Sequence, residues 1–399
     1  MQNATPRHHG AAEVFAVFLR LGLTSFGGPV AHLGYFRDEL VTRRRWLGEA
    51  DYADLVALCQ FLPGPASSQV GFALGLMRAG WLGALAAFVA FTLPSALILL
   101  AVALGAGHVA GPLGFGVLDG LKIVAVAIVA QAVWGMARAL CPDRPRAAIA
   151  VAAVAALAFL PGTPGMLAAI AGGAIAGLLL GRGAPGTTAT RLPIPVSRRV
   201  VAGAALAFAG LLAALPLLAG QSQALAVADA FYRAGALVFG GGHVVLPLLE
   251  TGVVAPGWIT PETFLAGYGA AQAVPGPLFT FAAYLGAALG PAPNGIAGAT
   301  LALGAVFLPG FLILIAALPY WNALRANARA QSALQGANAA VVGILGAALY
   351  APVFTSAIGD ARDLALALAC FVALTMWRAP PWAVVAAAAA GGAALGLAG

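Results

Sequence analysis

The sequence predicts an all-α polytopic membrane protein, built as an inverted-topology internal repeat with Gly/Pro-broken or re-entrant helices. Three observations predict this. Of 399 residues, 62% are hydrophobic and only 8% charged, against roughly 25% charged in soluble domains. A stretch near the start recurs in the second half. Phe18-Leu-Arg20-Leu-Gly22-Leu-Thr-Ser-Phe26-Gly27-Gly28 is answered by Phe231-Tyr-Arg233-Ala-Gly235-Ala-Leu-Val-Phe239-Gly240-Gly241, with six of eleven positions identical. Finally, the basic loops change sides between the two copies, the mark of an inverted repeat.

A second matched element follows each stretch. Gln60-Phe-Leu-Pro63-Gly64-Pro65 corresponds to Gln272-Ala-Val-Pro275-Gly276-Pro277, and a tryptophan lies between the elements each time, Trp46 and Trp258. The chain therefore divides into a first transmembrane repeat (1–181), a linker plus one extra spanning helix (182–219), and a second transmembrane repeat (220–399).

After a short polar tail, residues 11–36 are apolar but interrupted at Gly27-Gly28-Pro29. A loop with Arg37, Arg43, Arg44 and Arg45 leads to 51–78, broken at Pro63-Gly64-Pro65. Helices are expected over 80–107, 114–138, 147–160 and 164–181. The third is short for a bilayer core that needs about 20 residues. A polar linker (182–199) with four arginines precedes a helix at 200–219. The second copy has a segment at 224–249 broken at Gly240-Gly241-Gly242, then a Pro-Gly-Pro-broken stretch at 263–290. Helices follow near 294–318, 333–355, 361–377 and 381–398.

The loop after the first element carries Arg37 and Arg43 to Arg45; its counterpart at 250–262 carries Glu250 and Glu262 instead. The 108–113 loop has no Arg or Lys, and its counterpart at 320–332 has Arg325 and Arg329. If both broken stretches in each copy are re-entrant hairpins, every basic loop falls on one side. The N-terminus is then cytoplasmic, the C-terminus outside, with nine full spans between. Broken single crossings are the rival, and would put the basic tail and the Arg43–Arg45 loop on opposite sides.

The candidate site follows from cost. An arginine at a helix centre costs roughly 2.5–3.5 kcal/mol on the insertion scale, and each copy has one, Arg20 and Arg233. Snorkelling or an ion pair would also explain them; Asp229 is placed to pair with Arg233. Non-helical backbone survives at membrane depth only when buried in protein or lining a wet cavity. Pro65 and Pro277 suit the first position of a half-helix, whose free N–H groups attract anions. The site for a small oxyanion thus comprises Arg20, Arg233, Gly27, Gly28, Gly240, Gly241, Gln60, Pro63, Gly64, Pro65, Ser67, Ser68, Gln272, Pro275, Gly276, Pro277 and Thr280. Kinked helices without a ligand are the plainer reading of the breaks. His32 and His243 are candidates for proton coupling, or packing residues held by hydrogen bonds. Asp54, Asp119 and Lys122 read as interfacial anchors.

Other classes are poorly supported. The basic residues are nineteen arginines and one lysine, mostly in short loops, which the positive-inside rule explains without nucleic acid. The three cysteines, Cys59, Cys141 and Cys370, have no metal-ligand spacing. No HExxH, Walker loop or GxSxG occurs, so neither metal, cofactor nor ATP hydrolysis is expected, and transport runs on gradients.

At these motifs the chain resembles the chromate ion transporter family in its long, two-domain form. The resemblance rests on Phe-Gly-Gly-Pro-x-Ala-His-Leu-Gly (Phe26 to Gly34), Arg37, Trp46 and Gln60-x-x-Pro-Gly-Pro. In the second half it rests on Phe-Gly-Gly-Gly-His (Phe239 to His243), Gly257-Trp258 and Gln272-x-x-Pro-Gly-Pro. It implies a bacterial inner-membrane protein that exports chromate, a dianion for which sulfate is the structural analogue. The family's functional residues fall on these same motifs. A homodimer is the expected assembly. The competing readings are an uptake permease for sulfate or a related oxyanion, and a membrane enzyme or flippase acting on a lipid phosphate. The last would want a clustered acid–base pair, which the sequence does not offer.

Overall fold

The computed structural model describes residues 10–106, 111–181, 183, 196–239 and 241–398. Gly240 and nearly all of the 182–195 linker, both singled out above, lie outside the described residues. Among those described there is helix and turn but no strand.

The first copy opens with α1 (Ala11–Thr24) and α2 (Gly28–Phe36), separated by the Gly27-Gly28 break. A π-wound turn over Arg37–Arg43 leads to α3 (Glu49–Phe61) and α4 (Ala66–Ala106). The backbone of α4 leaves the helical region at Ala79 and Gly80, so 66–79 and 81–106 are separate rods. Gly75 sits directly on the backbone of Gly83 at the corner.

Ion pairs decide how these segments run. Glu13, in the first turn of α1, lies 3.7 Å from Arg44 and 3.6 Å from Arg78. The start of α1, the loop after α2 and the end of the 66–79 arm therefore share one level. Both broken segments thus fold back as hairpins whose two ends lie together. Phe18, Phe36 and Phe91 pack edge to face where the first hairpin meets the 81–106 rod.

The turn between the hairpins carries a pH-sensitive contact. Glu39, with a side chain only 10% exposed, accepts hydrogen bonds from Arg43 at 2.6 Å and Arg44 at 2.7 Å. The Arg44 hydrogen bond, opposed by burial, holds its carboxyl below the usual glutamate value of 4.5. A depressed folded value means stabilisation present above the unfolded value and lost as pH falls through the folded one. The thermal midpoint of the wild-type protein is therefore expected to fall on acidification below that range. Glu39→Gln should be less stable at neutral pH and lack that part of the slope; equal slopes would remove Glu39 from the account.

Next come α5 (Gly111–Leu140), α6 (Arg144–Phe159), α7 (Thr163–Leu180) and α8 (Arg198–Leu218). Asp143 and Ser197 cap α6 and α8 by accepting from backbone N–H groups of the first turn. Asp119 and Lys122 form the expected pair at 2.5 Å.

The second copy repeats the pattern with α9 (Gln223–Ala236), α10 (Val245–Val253), α11 (Pro261–Ala273) and α12 (Phe281–Ala288). The N–H of Gly290, just after α12, donates to the carbonyl of Trp258, just before α11, at 2.9 Å. This hairpin also returns. Gly286 sits on Gly298 as Gly75 sits on Gly83. The chain finishes with α13 (Gly295–Ala317), α14 (Trp321–Ala326), α15 (Ala328–Ala348), the single turn α16 (Thr355–Ala357), α17 (Ala361–Thr375) and α18 (Pro381–Ala398).

The halves interlock. α5 packs on α17 and α18, while α15 packs on α6 and α7. Glycines make both contacts: Gly120 lies on the backbone of Ala388 and Gly392, and Gly336 on that of Gly173 and Gly177. Small residues let membrane helices approach to backbone contact. Each copy's closing hairpin is thus held by the other copy's long helix.

Six helical stretches among the described residues are long and apolar enough to cross a membrane: 66–105, 113–140, 163–180, 198–221, 295–320 and 328–357. The protein is a multi-pass membrane protein. Of the nine expected spans, those at α6, α17 and α18 fall outside this set: α6 and α17 have 16 and 15 residues, and the apolar stretch of α18 is Pro381–Leu397. One helix measures the molecule. α13 has 23 residues, about 34 Å at 1.5 Å per residue. Its N-terminal end lies at the closing corner of the second copy's hairpins, through Gly298 and Gly286. Just past its other end, Trp321 packs on Phe61 of the first copy, ring centroids 5.8 Å apart.

Candidate functional site

The four breaks meet. In a Pro-Gly-Pro turn only the glycine has an N–H to donate. The N–H of Gly64 donates to the carbonyl of Val238 at 2.8 Å, and that of Gly276 donates to the carbonyl of Ser25 at 2.9 Å. Ser25 and Val238 occupy the same position in the two copies, each just before its Phe-Gly-Gly. The Pro-Gly-Pro turn of each copy is therefore bonded to the Gly-Gly break of the other, reciprocally. Glycine is required at both turns: φ is +120° at Gly64 and +104° at Gly276, where L side chains are strained. A Cβ at Gly64 would lie 2.9 Å from Cα of Gly310, and one at Gly276 would lie 2.8 Å from Oγ of Ser95.

Beside this junction is a cavity of about 350 Å³. Three helix starts reach it: Pro29 and Val30 open α2, Ala66 opens α4, and Gly241 and Gly242 lead into α10. The first N–H groups of a helix have no partner within it, and the macrodipole places partial positive charge there. Two carboxamides add adjustable donors and acceptors. Gln60 comes from the end of α3, and Asn338 from the middle of α15. Oδ1 of Asn338 is buried without a partner, so this oxygen is not used by the fold. The cavity combines donors with no fixed negative charge among its lining residues, which suits a small anion with its bridging waters.

Of the residues expected from sequence, Gln60, Gly64 and Gly241 line the cavity. Gly27, Gly28, Pro63 and Pro65 shape the two turns that border it. Ser67 and Ser68 are buried in the first turn of α4; Oγ of Ser67 is 3.4 Å from Nδ1 of His32, and Oγ of Ser68 has no partner. In the second copy, Pro275, Gly276 and Pro277 form the mirrored turn. The Thr280 hydroxyl there is occupied, donating to the Pro277 carbonyl at 2.7 Å. Gln272 is half-buried, and its Nε2 has no partner. His243 is hydrogen-bonded to the Tyr268 hydroxyl at 2.7 Å.

The arginine pair lies away from this cavity: neither Arg20 nor Arg233 lines it. On α1 the inward face is Val14, Val17, Phe18 and Leu21, and Arg20 is exposed on another face. Arg233 is held by Asp229 at 2.6 Å. Depth along an apolar run gave no information on which helix face an arginine occupies. Asp54 is likewise no interfacial anchor: it is buried and paired with Arg325 of the second copy. Two contributors were missed. Nε2 of Gln69 donates to the carbonyls of Pro63 and Gly310 at 3.0 and 2.8 Å, bracing the first turn. Asn338 is the last of three carboxamides on α15, after Gln331 and Gln335, and only the fold singles it out.

The two repeats differ in polarity at the junction. The first repeat brings Ser25, His32, Ser67, Gln69, Thr92 and Ser95 to it, all buried; Ser25 and Ser95 among them border the second turn. The corresponding second-copy positions hold Val238, Val245, Phe279, Phe281, Phe307 and Gly310. The first repeat thus supplies most of the polar side chains at both turns.

Comparison with known proteins agrees with the duplicated motifs. The chromate transporter family profile matches residues 12–178 and 225–393. The chain is 31% identical over 349 residues to a chromate transport protein of Pseudomonas aeruginosa, covering 86% of this chain and 81% of that protein. It is 30% identical to a chromate transport protein of Cupriavidus metallidurans, over 84% and 80% of the two chains. It is 28% identical to an uncharacterized transporter of Methanocaldococcus jannaschii, over 84% and 82%. No solved structure matches. The chain belongs to the chromate transporter family.

Proposed function

We propose that this member of the chromate transporter family is a secondary transporter that exports chromate across the bacterial inner membrane, through the cavity where the four breaks meet. The observation that carries this is the reciprocal bonding of the two Pro-Gly-Pro turns, with three helix starts and two carboxamides around one cavity. Contacts to the oxyanion are assigned to backbone N–H groups near Ala66 and Gly242 and to Gln60 and Asn338, rather than to Arg20 and Arg233.

The two repeats, 1–181 and 220–399, are read as inverted, with 182–219 supplying the odd crossing. The placement of α13 supports this: one end lies at the second copy's closing corner, the other beside the first copy's α3, and its length matches a bilayer core of roughly 30 Å. Loop charge then puts the Arg43–Arg45 loop and the N-terminus in the cytoplasm and the C-terminus outside. Energetics supports the direction. One charge crossing 100 mV is worth about 2.3 kcal/mol, so a dianion leaving a negative interior gains roughly 4.6 kcal/mol. That drives more than a thousandfold gradient without a coupling ion.

Chromate flux into inside-out vesicles under an imposed inside-positive potential tests the proposal. Accumulation is expected in wild type and should be lost in Gln60→Leu/Asn338→Leu at equal protein amount. Accumulation of sulfate but not chromate would change the substrate. Movement only under the opposite potential would make the protein an uptake permease.

A further inference from the structure

We infer that a second anion station lies at the mouth of the pathway on the Arg43–Arg45 side, built from Arg325, Trp321, Gln331 and Gln60, and that it hands the oxyanion inward through Gln60. The inference rests on the transport reading above.

A second cavity, of about 300 Å³, lies beside the end of α3. Its polar lining is Gln60, Trp321, Arg325 and Gln331. Gln60 is shared with the cavity at the breaks, so one carboxamide borders both compartments. Every polar group in the lining can donate: a guanidinium, an indole N–H and two carboxamides. Trp321 is 5% exposed, and its Nε1–H has no partner. A buried donor left open is costly unless something accepts from it. An oxyanion beside Arg325 would accept from both.

Asp54 sets how long the anion stays. Its side chain is 3% exposed and paired with Arg325, whose side chain is 22% exposed, and Oδ2 of Asp54 has no other partner. A buried carboxylate is strongly destabilised when its cation is taken. An arriving dianion competes for the guanidinium, and the stranded carboxylate drives Arg325 back to it. The station therefore holds the anion briefly and releases it. Without Asp54 it would be a trap.

A merely structural Asp54–Arg325 staple between the repeats predicts the same defect from either side. The relay predicts opposite ones. In inside-out vesicles, Arg325→Gln should raise the half-saturating chromate concentration about tenfold, the effect of losing one charge-assisted hydrogen bond. The maximal rate should change little, and Arg325→Lys should recover part of the affinity. Asp54→Asn should lower the half-saturating concentration and the maximal rate together, as release slows. Parallel losses of rate in Arg325→Gln and Asp54→Asn, with unchanged half-saturation, would overturn the relay and leave a staple. Gln60→Leu/Asn338→Leu is run alongside. Normal transport in that variant would sink the site at the breaks, whereas its loss together with unaltered kinetics in Arg325→Gln would sink the station alone.

Discussion

Gly64→Ala is expected to reduce chromate transport roughly a hundredfold while the protein still inserts in the membrane. A left-handed residue with a Cβ costs about 1–2 kcal/mol in strain, and a backbone hydrogen bond put at risk adds about 1 kcal/mol. The new methyl group would sit 2.9 Å from Cα of Gly310 and 3.1 Å from Nε2 of Gln69. The first of these is backbone and cannot rotate away. Relief must come from moving the turn, which draws its N–H off Val238 and carries the N–H groups of Ala66 and its neighbours with it. Gly28→Ala is the graded control. φ there is +78°, but nothing lies within 4 Å of the added Cβ, so only strain is introduced and the loss should be milder. Initial rates in vesicles, scaled to protein amount, check both. Equal rates for Gly64→Ala and wild type would mean that the turn does not shape the pathway.

Gly177→Val should prevent the two repeats from assembling, while Gly172→Val, five residues earlier on the same helix, should be silent. A side chain at Gly177 would overlap the Ser332 carbonyl and press on the backbone of Gly336. That contact is the seam between α7 and α15, and no rotamer avoids a backbone clash. Gly172 is exposed, with nothing within 4 Å, and such positions usually change stability by less than about 0.5 kcal/mol. Size-exclusion profiles and thermal midpoints in detergent distinguish them. The expected result is loss of the monodisperse species for Gly177→Val alone. Equal behaviour would remove the interlocked packing from the account of stability.

Much of the architecture was legible because duplication repeats its constraints. Gly64 and Gly276 were marked by sequence since both need φ values that favour glycine, and both copies kept them. Loop charge points to hairpins, and the Glu13–Arg44 and Glu13–Arg78 contacts show that both segments fold back on themselves. What sequence could not supply was facing and partnership. Arg20 reads the same whether its helix turns it toward a cavity or away. Asp54 and Arg325 are 271 residues apart, and nothing local announces their pairing. The exchange of closing hairpins, α5 with α18 and α15 with α7, depends on how glycine faces match in space. The polar difference between the repeats was present in the sequence, but only alignment of the copies on their turns brings Ser67 opposite Phe279 and Gln69 opposite Phe281.

Equilibrium binding of radiolabelled chromate to the purified protein tests the central claim most directly, with wild type, Gln60→Leu/Asn338→Leu and Arg20→Ala compared. The account predicts saturable binding in wild type, competed by sulfate. That binding should be lost in the double variant and kept in Arg20→Ala. Binding that survives in the double variant and disappears in Arg20→Ala would contradict it, and would move the oxyanion from the junction of the breaks to the arginine on α1.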